Sequence, residues 1–389
     1  MKPFAERAVQ IPRSGIREIM ALSAEVEGVI HLEVGEPDFP TPDHIVEATC
    51  RFVREGHTKY VANAGVLELR SAVARYFQEK TGVKTEVENI LVTPGAVMSV
   101  ATAFMALLDP GDEVLLPDPG WPNYQMGASL LHGNPVYYDL RPENQFFPSL
   151  DQLDSLITPR TKLLLICTPS NPTGQVYGAE LMRDLMDLAR RHDIYVLSDE
   201  IYGEIVFDSG HVSALAYDTD ERSLIVCGMS KTYAMTGFRI GFTRARPDYV
   251  TLATKLQEPI VSCGVGFGQL AAAAALTASQ EDVRKMCNAY KERRDVALEV
   301  LRGHGLDRYS PGGAFYLLVD ISSTGMDSHD FALKLLKEKK VAVAPGNTFG
   351  EICRDHIRIS IASSEENIRE GLGRICAMIQ ERSTDSNQA

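Results

Sequence analysis

Short apolar runs alternate with helical patterns between residues 89 and 226, and this alternation constrains the fold more than any other feature. One intervening segment, residues 179–192, has the periodicity of an amphipathic helix. Continuous apolar strands separated by helices are typical of a mostly parallel sheet that helices cover on both faces. The sequence therefore predicts an α/β fold with one large sheet. The predicted strands lie at residues 89–93, 113–116, 135–138, 162–166, 194–197 and 224–226. Outside this region the sequence predicts a helical arm from residue 1 to about 30, a polar, frayed tail from Ser383, and strands at residues 29–34, 314–320, 341–344 and 356–360.

The loops that follow these strands carry polar, Gly-rich or Pro-rich sequences. They lie at residues 94–96, 118–123, 169–174, 198–202 and 230–231. Because the carboxyl ends of parallel strands meet at one edge of a sheet, we expect these loops to converge on a single crevice. This prediction of a ligand site depends on topology alone.

Lys231 follows the last strand, in the stretch Gly228-Met-Ser-Lys-Thr-Tyr-Ala-Met-Thr-Gly-Phe-Arg-Ile-Gly241. A lysine amine that burial or a neighbouring cation keeps partly unprotonated can form a Schiff base with an aldehyde. Arg239 offers a guanidinium fork suited to a phosphate. Two ordinary interpretations compete with this one. Ser-Lys-Thr also ends a phosphate-binding loop, although the glycines required before it are missing, and a lysine at a strand end is often only solvated.

The order Ser230-Lys231, then Gly237-x-Arg239-x-Gly241, resembles the cofactor-lysine motif of the pyridoxal-phosphate (PLP) class I/II aminotransferases, which have fold type I. The resemblance runs from about residue 16 to residue 367 and is greatest to the aspartate/aromatic branch, subgroup Iγ. It implies an N-terminal arm with a small-domain segment at residues 1–44. A large PLP-binding domain at 45–280 and a smaller α/β domain at 281–389 would follow.

The resemblance also implies a PLP site. Lys231 would form the Schiff base with the cofactor, and Asp199 would pair with the protonated pyridine nitrogen, which preserves the ring as an electron sink. Tyr202 and Asn171 would hydrogen-bond the phenolic oxygen. The other implied cofactor contacts are Gly95, Ala96, Ser230 and Arg239 at the phosphate, Trp121 stacked on the ring, and Tyr60, which would touch the phosphate bound in the partner protomer.

Several of these residues have ordinary interpretations when taken alone. Asn171-Pro-Thr-Gly is also a common turn, and most helix starts such as Gly95 bind nothing. The spacing favours the functional interpretation. Asn171 and Asp199 are 28 positions apart, and Asp199 and Lys231 are 32 apart, so each interval equals one strand–helix–strand step.

Arg358 lies in an alternating, strand-like segment, residues 356–360. The resemblance implies that it binds the α-carboxylate of the substrate bidentately, although an arginine on a strand can equally be an exposed edge charge. The other implied substrate contacts are Gly35, Trp121 and Asn171. Aspartate-using members of the branch carry a lysine two residues after the glycine of the phosphate helix, where this chain has Val97. A dicarboxylate preference of that type is therefore not expected.

Composition narrows the classes of function further. The 389-residue chain has a net charge of −13 and no basic cluster, so we expect no nucleic-acid partner. Its seven cysteines form no CxxC pair, which predicts neither a metal site nor a disulfide framework and favours the cytoplasm. No stretch approaches the ~20 apolar residues of a membrane span. The N-terminus lacks the apolar segment of a secretory signal.

Together these features predict a PLP-dependent aminotransferase that moves the α-amino group of an L-amino acid to a 2-oxo acid. It would act by a ping-pong mechanism through pyridoxamine phosphate, as a homodimer with shared active sites. A PLP-dependent C–S β-lyase or decarboxylase stays open, because the same residues serve those reactions. A PLP-binding transcription regulator would need a DNA-binding domain before the fold, which here begins almost at Met1. The sequence indicates neither the donor nor the acceptor.

Overall fold

The computed structural model describes residues 1–9, 11–12 and 15–386. Its strands are β1 (Ile30–His31), β2 (Ile90–Thr93), β3 (Glu113–Asp118), β4 (Asn134–Asp139), β5 (Thr161–Cys167), β6 (Tyr195–Asp199), β7 (Ser223–Gly228), β8 (Gly241–Arg244), β9 (Tyr316–Asp320), β10 (Val341–Ala342), β11 (Ala344–Pro345) and β12 (His356–Ser360). Its helices are α1 (Glu6–Val9), α2 (Gly15–Ser23), α3 (Asp43–Arg54), α4 (Leu67–Thr81), α5 (Ala96–Leu107), α6 (Pro122–Leu130), α7 (Leu150–Leu156), α8 (Ala179–Arg191), α9 (Met229–Thr232), α10 (Pro247–Val261), α11 (Gly266–Thr277), α12 (Glu281–Gly303), α13 (Ser328–Lys339) and α14 (Glu365–Ser386).

Seven strands form the large sheet, in the spatial order β2-β8-β7-β6-β5-β3-β4. Neighbouring strands run parallel except where β8 is involved, since β8 is antiparallel to both β2 and β7. The predicted mostly parallel sheet is confirmed. β8 was not predicted because its sequence, Gly-Phe-Thr-Arg, is not an apolar run. Its pairing places Gly241 opposite Gly228, so the two ends of the lysine-bearing stretch are neighbours.

Both faces of the large sheet are buried, which explains the continuous apolar runs. In β5, Leu163 and Leu165 belong to one hydrophobic cluster, while Leu164 and Ile166 belong to the other. Successive side chains of a strand point to opposite faces, so each cluster lies on one side of the sheet. Residues of α5 and α10 complete the first cluster, and residues of α4, α8 and α11 contribute to the second. This packing leaves the ends of the strands as the accessible part of the sheet.

A smaller antiparallel sheet has the order β11-β12-β9, and β1 pairs in parallel with β10. The pairing of Ile30 with Val341 ties the N-terminal segment to the C-terminal part of the chain. The α/β fold class, with a second and smaller set of strands and helices, is confirmed. The domain boundaries after residues 44 and 280 stay a prediction.

Two predicted strands differ from the observed ones. The strand expected at residues 29–34 is limited to Ile30–His31, because the next carbonyl, of Leu32, accepts a hydrogen bond from the amide of Ser360 at 2.7 Å. The chain thereby passes from the pair with β10 to the edge of the small sheet. The strand expected at residues 341–344 is divided at Val343 into β10 and β11, which belong to different sheets.

The C-terminus also differs from the prediction. A polar, frayed tail was expected from Ser383, but α14 continues through Ser386. The Ser383 hydroxyl lies 2.8 Å from that of Ser323, a contact between distant segments that the sequence does not indicate. Across the described residues, none of the helices combines the length and the apolar character needed to cross a membrane.

Candidate active site

A cavity of about 770 Å³ opens at the carboxyl edge of the large sheet. The structure brings all five predicted loops together in its wall. Gly95 directly precedes the wall residue Ala96 and lies against Arg239, since a Cβ added to Gly95 would be 2.4 Å from the Arg239 Nη2. The predicted site residues that line the cavity are Gly35, Ala96, Trp121, Asn171, Asp199, Tyr202, Ser230, Lys231, Arg239 and Arg358.

Tyr60 is the predicted site residue that lies apart from this cavity. It is 92 % exposed. Its loop packs beside the connection between α10 and α11, where the amide of Val61 lies 3.5 Å from the Cys263 sulfur. Because the expected contact of Tyr60 is with a partner protomer, its role stays a prediction.

Lys231 projects into the cavity from α9, which follows β7 directly. Its Nζ donates a hydrogen bond to the carbonyl oxygen of Gly35 at 2.7 Å. Burial, helped by the charges of Arg358 and Arg239 and opposed by the carboxylate of Glu36, lowers the pKa of the Lys231 amine to about 8. The neutral form of this amine, which is the form that attacks a carbonyl, is therefore far more populated near neutral pH than that of an ordinary lysine.

Asp199 ends β6 and is almost completely buried. Burial raises the pKa of its carboxyl to about 6. Hydrogen bonds oppose that shift: the Tyr124 hydroxyl donates to Asp199 Oδ2 at 2.7 Å, and the amide of Ile201 donates to Oδ1 at 3.2 Å. Donors to both oxygens fix the orientation of the carboxylate and favour its charged form.

Tyr124 was not predicted as a site residue. It lies in the first turn of α6, three positions after Trp121, and the two rings meet edge to face with centroids 5.4 Å apart. Its exposure is 2 %. Helix α6 is too short for its sequence periodicity to show which face is buried. The sequence signal for Tyr124 was therefore only its position three residues after Trp121.

Arg239 and the start of α5 form the basic end of the cavity. Arg239 adopts a left-handed conformation with φ of 57°, and its Nη1 donates to the Thr236 carbonyl at 2.7 Å. Gly241 allows the two segments to approach, because a Cβ there would lie 2.4 Å from the amide nitrogen of Ala96. Free amides at a helix N-terminus, a guanidinium and the nearby hydroxyl of Ser230 suit an anion such as a phosphate.

Arg358 is a fully buried guanidinium on β12. Its Nη1 donates to Asn171 Oδ1 at 3.0 Å and its Nη2 donates to the carbonyl oxygen of Glu33 at 2.6 Å. The group lies over the rings of Tyr316 and Phe349, at 4.3 and 4.8 Å from their centroids. Burial lowers the pKa of Arg358, although an arginine remains protonated. Each Nη carries a second hydrogen, so the fork can still bind a carboxylate bidentately.

Tyr316 is a second site residue that was not predicted. Its hydroxyl lies 2.9 Å from that of Tyr202, so one of the two donates to the other. A Cβ added to Gly35 would lie 2.3 Å from the Tyr316 hydroxyl, which explains why glycine stands there. The strand containing Tyr316 was predicted, but its alternation does not reveal which face meets the cavity.

Other residues of the wall were not among the predicted contacts. They include Ile16, Arg17 and Met20 of α2, together with Val97 and Glu36. The sequence predicted a helical arm here but gave these residues no contact with the site. Within the described chain, no group of three or more His, Cys, Asp and Glu side chains could hold a metal ion.

Comparison with known proteins agrees with this geometry. Residues 27–375 match the family model described as aminotransferase class I and II. The chain is 38 % identical to the aspartate aminotransferase of Pyrococcus horikoshii, with 96 % of each chain covered. It is 36 % identical to the aromatic-amino-acid aminotransferase 2 of Thermococcus litoralis, with 97 % of this chain and 99 % of that one covered.

The solved structures lead to the same family. Aspartate aminotransferase from Thermus thermophilus, solved with maleate, matches this fold with a TM-score of 0.93 at 37 % identity, over 97 % of this chain and 100 % of that one. This chain therefore belongs to the class I and II aminotransferases and is a PLP-dependent transferase of amino groups.

Proposed function

We propose that Lys231 holds PLP in this cavity and that the site exchanges the α-amino group of an L-amino acid with a 2-oxo acid. The observation that carries the proposal is the meeting of three different groups in one wall: the Lys231 amine, the buried Asp199 carboxylate and the buried Arg358 guanidinium. The amine suits reaction with a carbonyl group, the carboxylate suits pairing with a protonated ring nitrogen, and the guanidinium suits binding of a substrate carboxylate.

The residues of the cavity fit PLP. Asp199 is buried and forms no ion pair among the described residues, so a protonated ring nitrogen would supply the missing cation. Trp121 would lie against the ring, with Asn171 and Tyr202 at its phenolic oxygen. The phosphate would lie at Gly95 and take the amide of Ala96 at the start of α5, the Ser230 hydroxyl and the Arg239 guanidinium. The amide of Gly95 itself donates to the Thr93 carbonyl at 2.8 Å.

When bound, PLP supplies an aldehyde that takes the amino group and a ring that withdraws electrons from the α-carbon. The chain supplies the proton transfer. The Nζ of Lys231, whose pKa is lowered to about 8, takes the α-proton as a general base and later returns it as a general acid. The same atom serves the reverse direction when the 2-oxo acid is the substrate.

Arg358 orients the substrate for that transfer. Its two Nη atoms would bind the α-carboxylate, while Asn171 and Glu33 hold the guanidinium in place from the other side. A substrate fixed at its carboxylate presents its α-proton in a constant direction, which lowers the entropic part of the barrier. Gly35 lets the Tyr316 hydroxyl approach the backbone, and the Tyr316 ring lies against the Arg358 guanidinium.

We further propose that the enzyme is a homodimer in which Tyr60 contacts the phosphate of the partner protomer. Apolar side chains are exposed at the end of α10 and directly before α11, next to the Tyr60 loop. Ile260 is 55 % exposed, Val265 44 % and Val261 37 %. Apolar residues that share an exposed region are typical of a subunit interface.

The cytoplasm is the compartment that we propose. All seven cysteines are free thiols in the structure, and four of them are buried. Proteins that keep many unpaired cysteines are typical of reducing compartments.

Replacement of Lys231 tests the central claim. Lys231→Ala should purify with little covalently bound PLP and lose about 10³-fold in kcat, because the Schiff-base amine and the general base are the same atom. The exposed Lys334→Ala serves as the control and should behave as the wild type. In the wild type, the rate of PLP capture by the apoenzyme should rise with pH to about 8 and then level off. A fully active Lys231→Ala enzyme would end the proposal.

Arg358 should affect the substrate more than the cofactor. Arg358→Leu should raise KM for the amino acid at least about tenfold, because charge-assisted hydrogen bonds to the carboxylate are lost. Arg358→Lys keeps a buried charge without the fork and should also raise KM. The dissociation constant of PLP, followed by the fluorescence of Trp121, should change much less. An unchanged KM would remove Arg358 from the substrate site.

Tyr124 should set the acid limb of the pH profile. Tyr124→Phe removes a donor that stabilises the charged Asp199, so the pKa of that carboxyl rises. Activity and the cofactor absorbance should then be lost at a higher pH than in the wild type, as pH falls. Tyr138→Phe is the matched control, since Tyr138 is equally buried but donates to the Leu165 carbonyl. Equal shifts in the two variants would contradict the role of Tyr124.

Sedimentation should show the dimer. The wild type should sediment with twice the 42.8 kDa mass of one chain. Ile260→Glu places a charge in the proposed interface and should favour the monomer and reduce activity, because the partner's Tyr60 is lost from each site. A monomeric wild type with full activity would exclude the shared site.

A further inference from the structure

Asp118 ends β3 at the carboxyl edge of the large sheet, and the proposed chemistry gives it no role. Its carboxylate accepts two backbone hydrogen bonds from the loop between β11 and β12, residues 346–355. The amide of Glu351 donates to Oδ2 at 3.1 Å, and the amide of Ile352 donates to Oδ1 at 3.3 Å. One side chain of the large sheet therefore holds a loop of the small sheet.

The tip of that loop, residues 349–352, has few other attachments. The amide of Gly120 donates to the Phe349 carbonyl at 2.8 Å, beside the two bonds of the Asp118 carboxylate. Within the described part of the chain, every hydrogen bond from the tip to a segment outside the loop ends at Asp118 or Gly120. Asp118 thus supplies two of the three bonds that set the position of the tip.

Gly350 shows how closely the two segments fit. Its φ is 146°, a conformation that other residues rarely adopt, and a Cβ there would lie 1.9 Å from Asp118 Oδ1. Burial raises the pKa of the Asp118 carboxyl against the two amide hydrogen bonds, and the charges of Asp139 and Glu351 add to the rise. Among the described residues this carboxylate forms no ion pair, so the two amides are the donors that stabilise its charge.

The tip reaches the site through Phe349. This side chain is almost completely buried, and the Arg358 guanidinium lies over its ring, 4.8 Å from the centroid. Electrostatic attraction between a guanidinium and a carboxylate is stronger where water is excluded. A displaced Phe349 would admit water to Arg358 and weaken the binding of a substrate carboxylate.

We propose that Asp118 is a positioning residue for substrate binding, which holds Phe349 over Arg358 without touching the substrate. This inference rests on the proposed function, in which Arg358 takes the α-carboxylate. The end of β3 is the fixed side of the contact, because the strand pairs with β4 and β5 and the Leu140 amide donates to the Asp118 carbonyl at 2.7 Å. The loop that carries Trp121 is anchored at both ends, by β3 and α6, so the effect is expected at the substrate and not at the cofactor.

Asp118→Asn tests the proposal with almost no change of shape. One oxygen remains as an acceptor, while the new NH₂ group faces an amide donor, so one of the two bonds is lost. The donor is first identified by screening amino acids for one that removes the aldehyde absorbance of the wild-type holoenzyme. KM for that amino acid should rise about fivefold in Asp118→Asn and about tenfold in Asp118→Ala, since hydrogen bonds to a charged group are lost. The kcat and the dissociation constant of PLP should change much less.

Asp139→Asn is the matched control. Asp139 ends β4 directly opposite Asp118, and its carboxylate pairs with Arg141 instead of the loop. This variant should show the KM of the wild type.

Phe349→Leu tests the route of the effect. It removes the ring under the Arg358 guanidinium and should raise KM by itself. Asp118→Asn should add little in the Phe349→Leu background, because the two changes act on the same contact and are not additive.

Other results would overturn the inference. An unchanged KM in Asp118→Asn and Asp118→Ala would exclude a role for Asp118 in substrate binding. An equal loss of PLP affinity would assign Asp118 to the fold of the whole cavity. A full effect of Asp118→Asn in the Phe349→Leu background would exclude the route through Phe349. Failure of the proposed function looks different, because no amino acid would then react with the wild-type holoenzyme.

Discussion

The guanidinium of Arg358 is the interaction on which the site depends. Its hydrogen bonds join residues that are 187 and 325 positions away, in Asn171 and Glu33. Three parts of the chain meet there: the edge of the large sheet, the N-terminal segment and the small antiparallel sheet. A buried charge is costly unless it is hydrogen-bonded, so these segments stabilise one arrangement together. The rings of Tyr316 and Phe349 add favourable contacts with the cation.

Burial acts in opposite directions on the two ionisable groups at the centre of the cavity. It lowers the pKa of the Lys231 amine to about 8 and raises that of the Asp199 carboxyl to about 6, because in both cases the charged form is disfavoured. Both groups are thereby brought toward neutral pH. The hydroxyl of Tyr124 limits the shift at Asp199 and keeps the carboxylate available for a cationic partner. The carboxylate is therefore charged above about pH 6, and the amine becomes mostly neutral above about pH 8.

The convergence of five loops could be predicted because it follows from the direction of parallel strands. Lys231, Asp199 and Asn171 each follow a strand that the apolar pattern identifies, and all three line the cavity. Tyr124 and Tyr316 could not be found in this way. Their importance arises from hydrogen bonds to residues 75 and 114 positions away, and no local pattern records such distances. The roles of the site residues remain proposals that the variants address.

The sequence by itself determined the alternation of strands and helices, the large parallel sheet and the edge at which polar loops collect, since periodicity and strand direction are local properties. Only the tertiary structure decided which side chains face one another across that edge. It inserted β8 between β2 and β7 and placed the small sheet against the Lys231 cavity. Those outcomes depend on contacts between distant segments, whose geometry is fixed only when the whole chain packs.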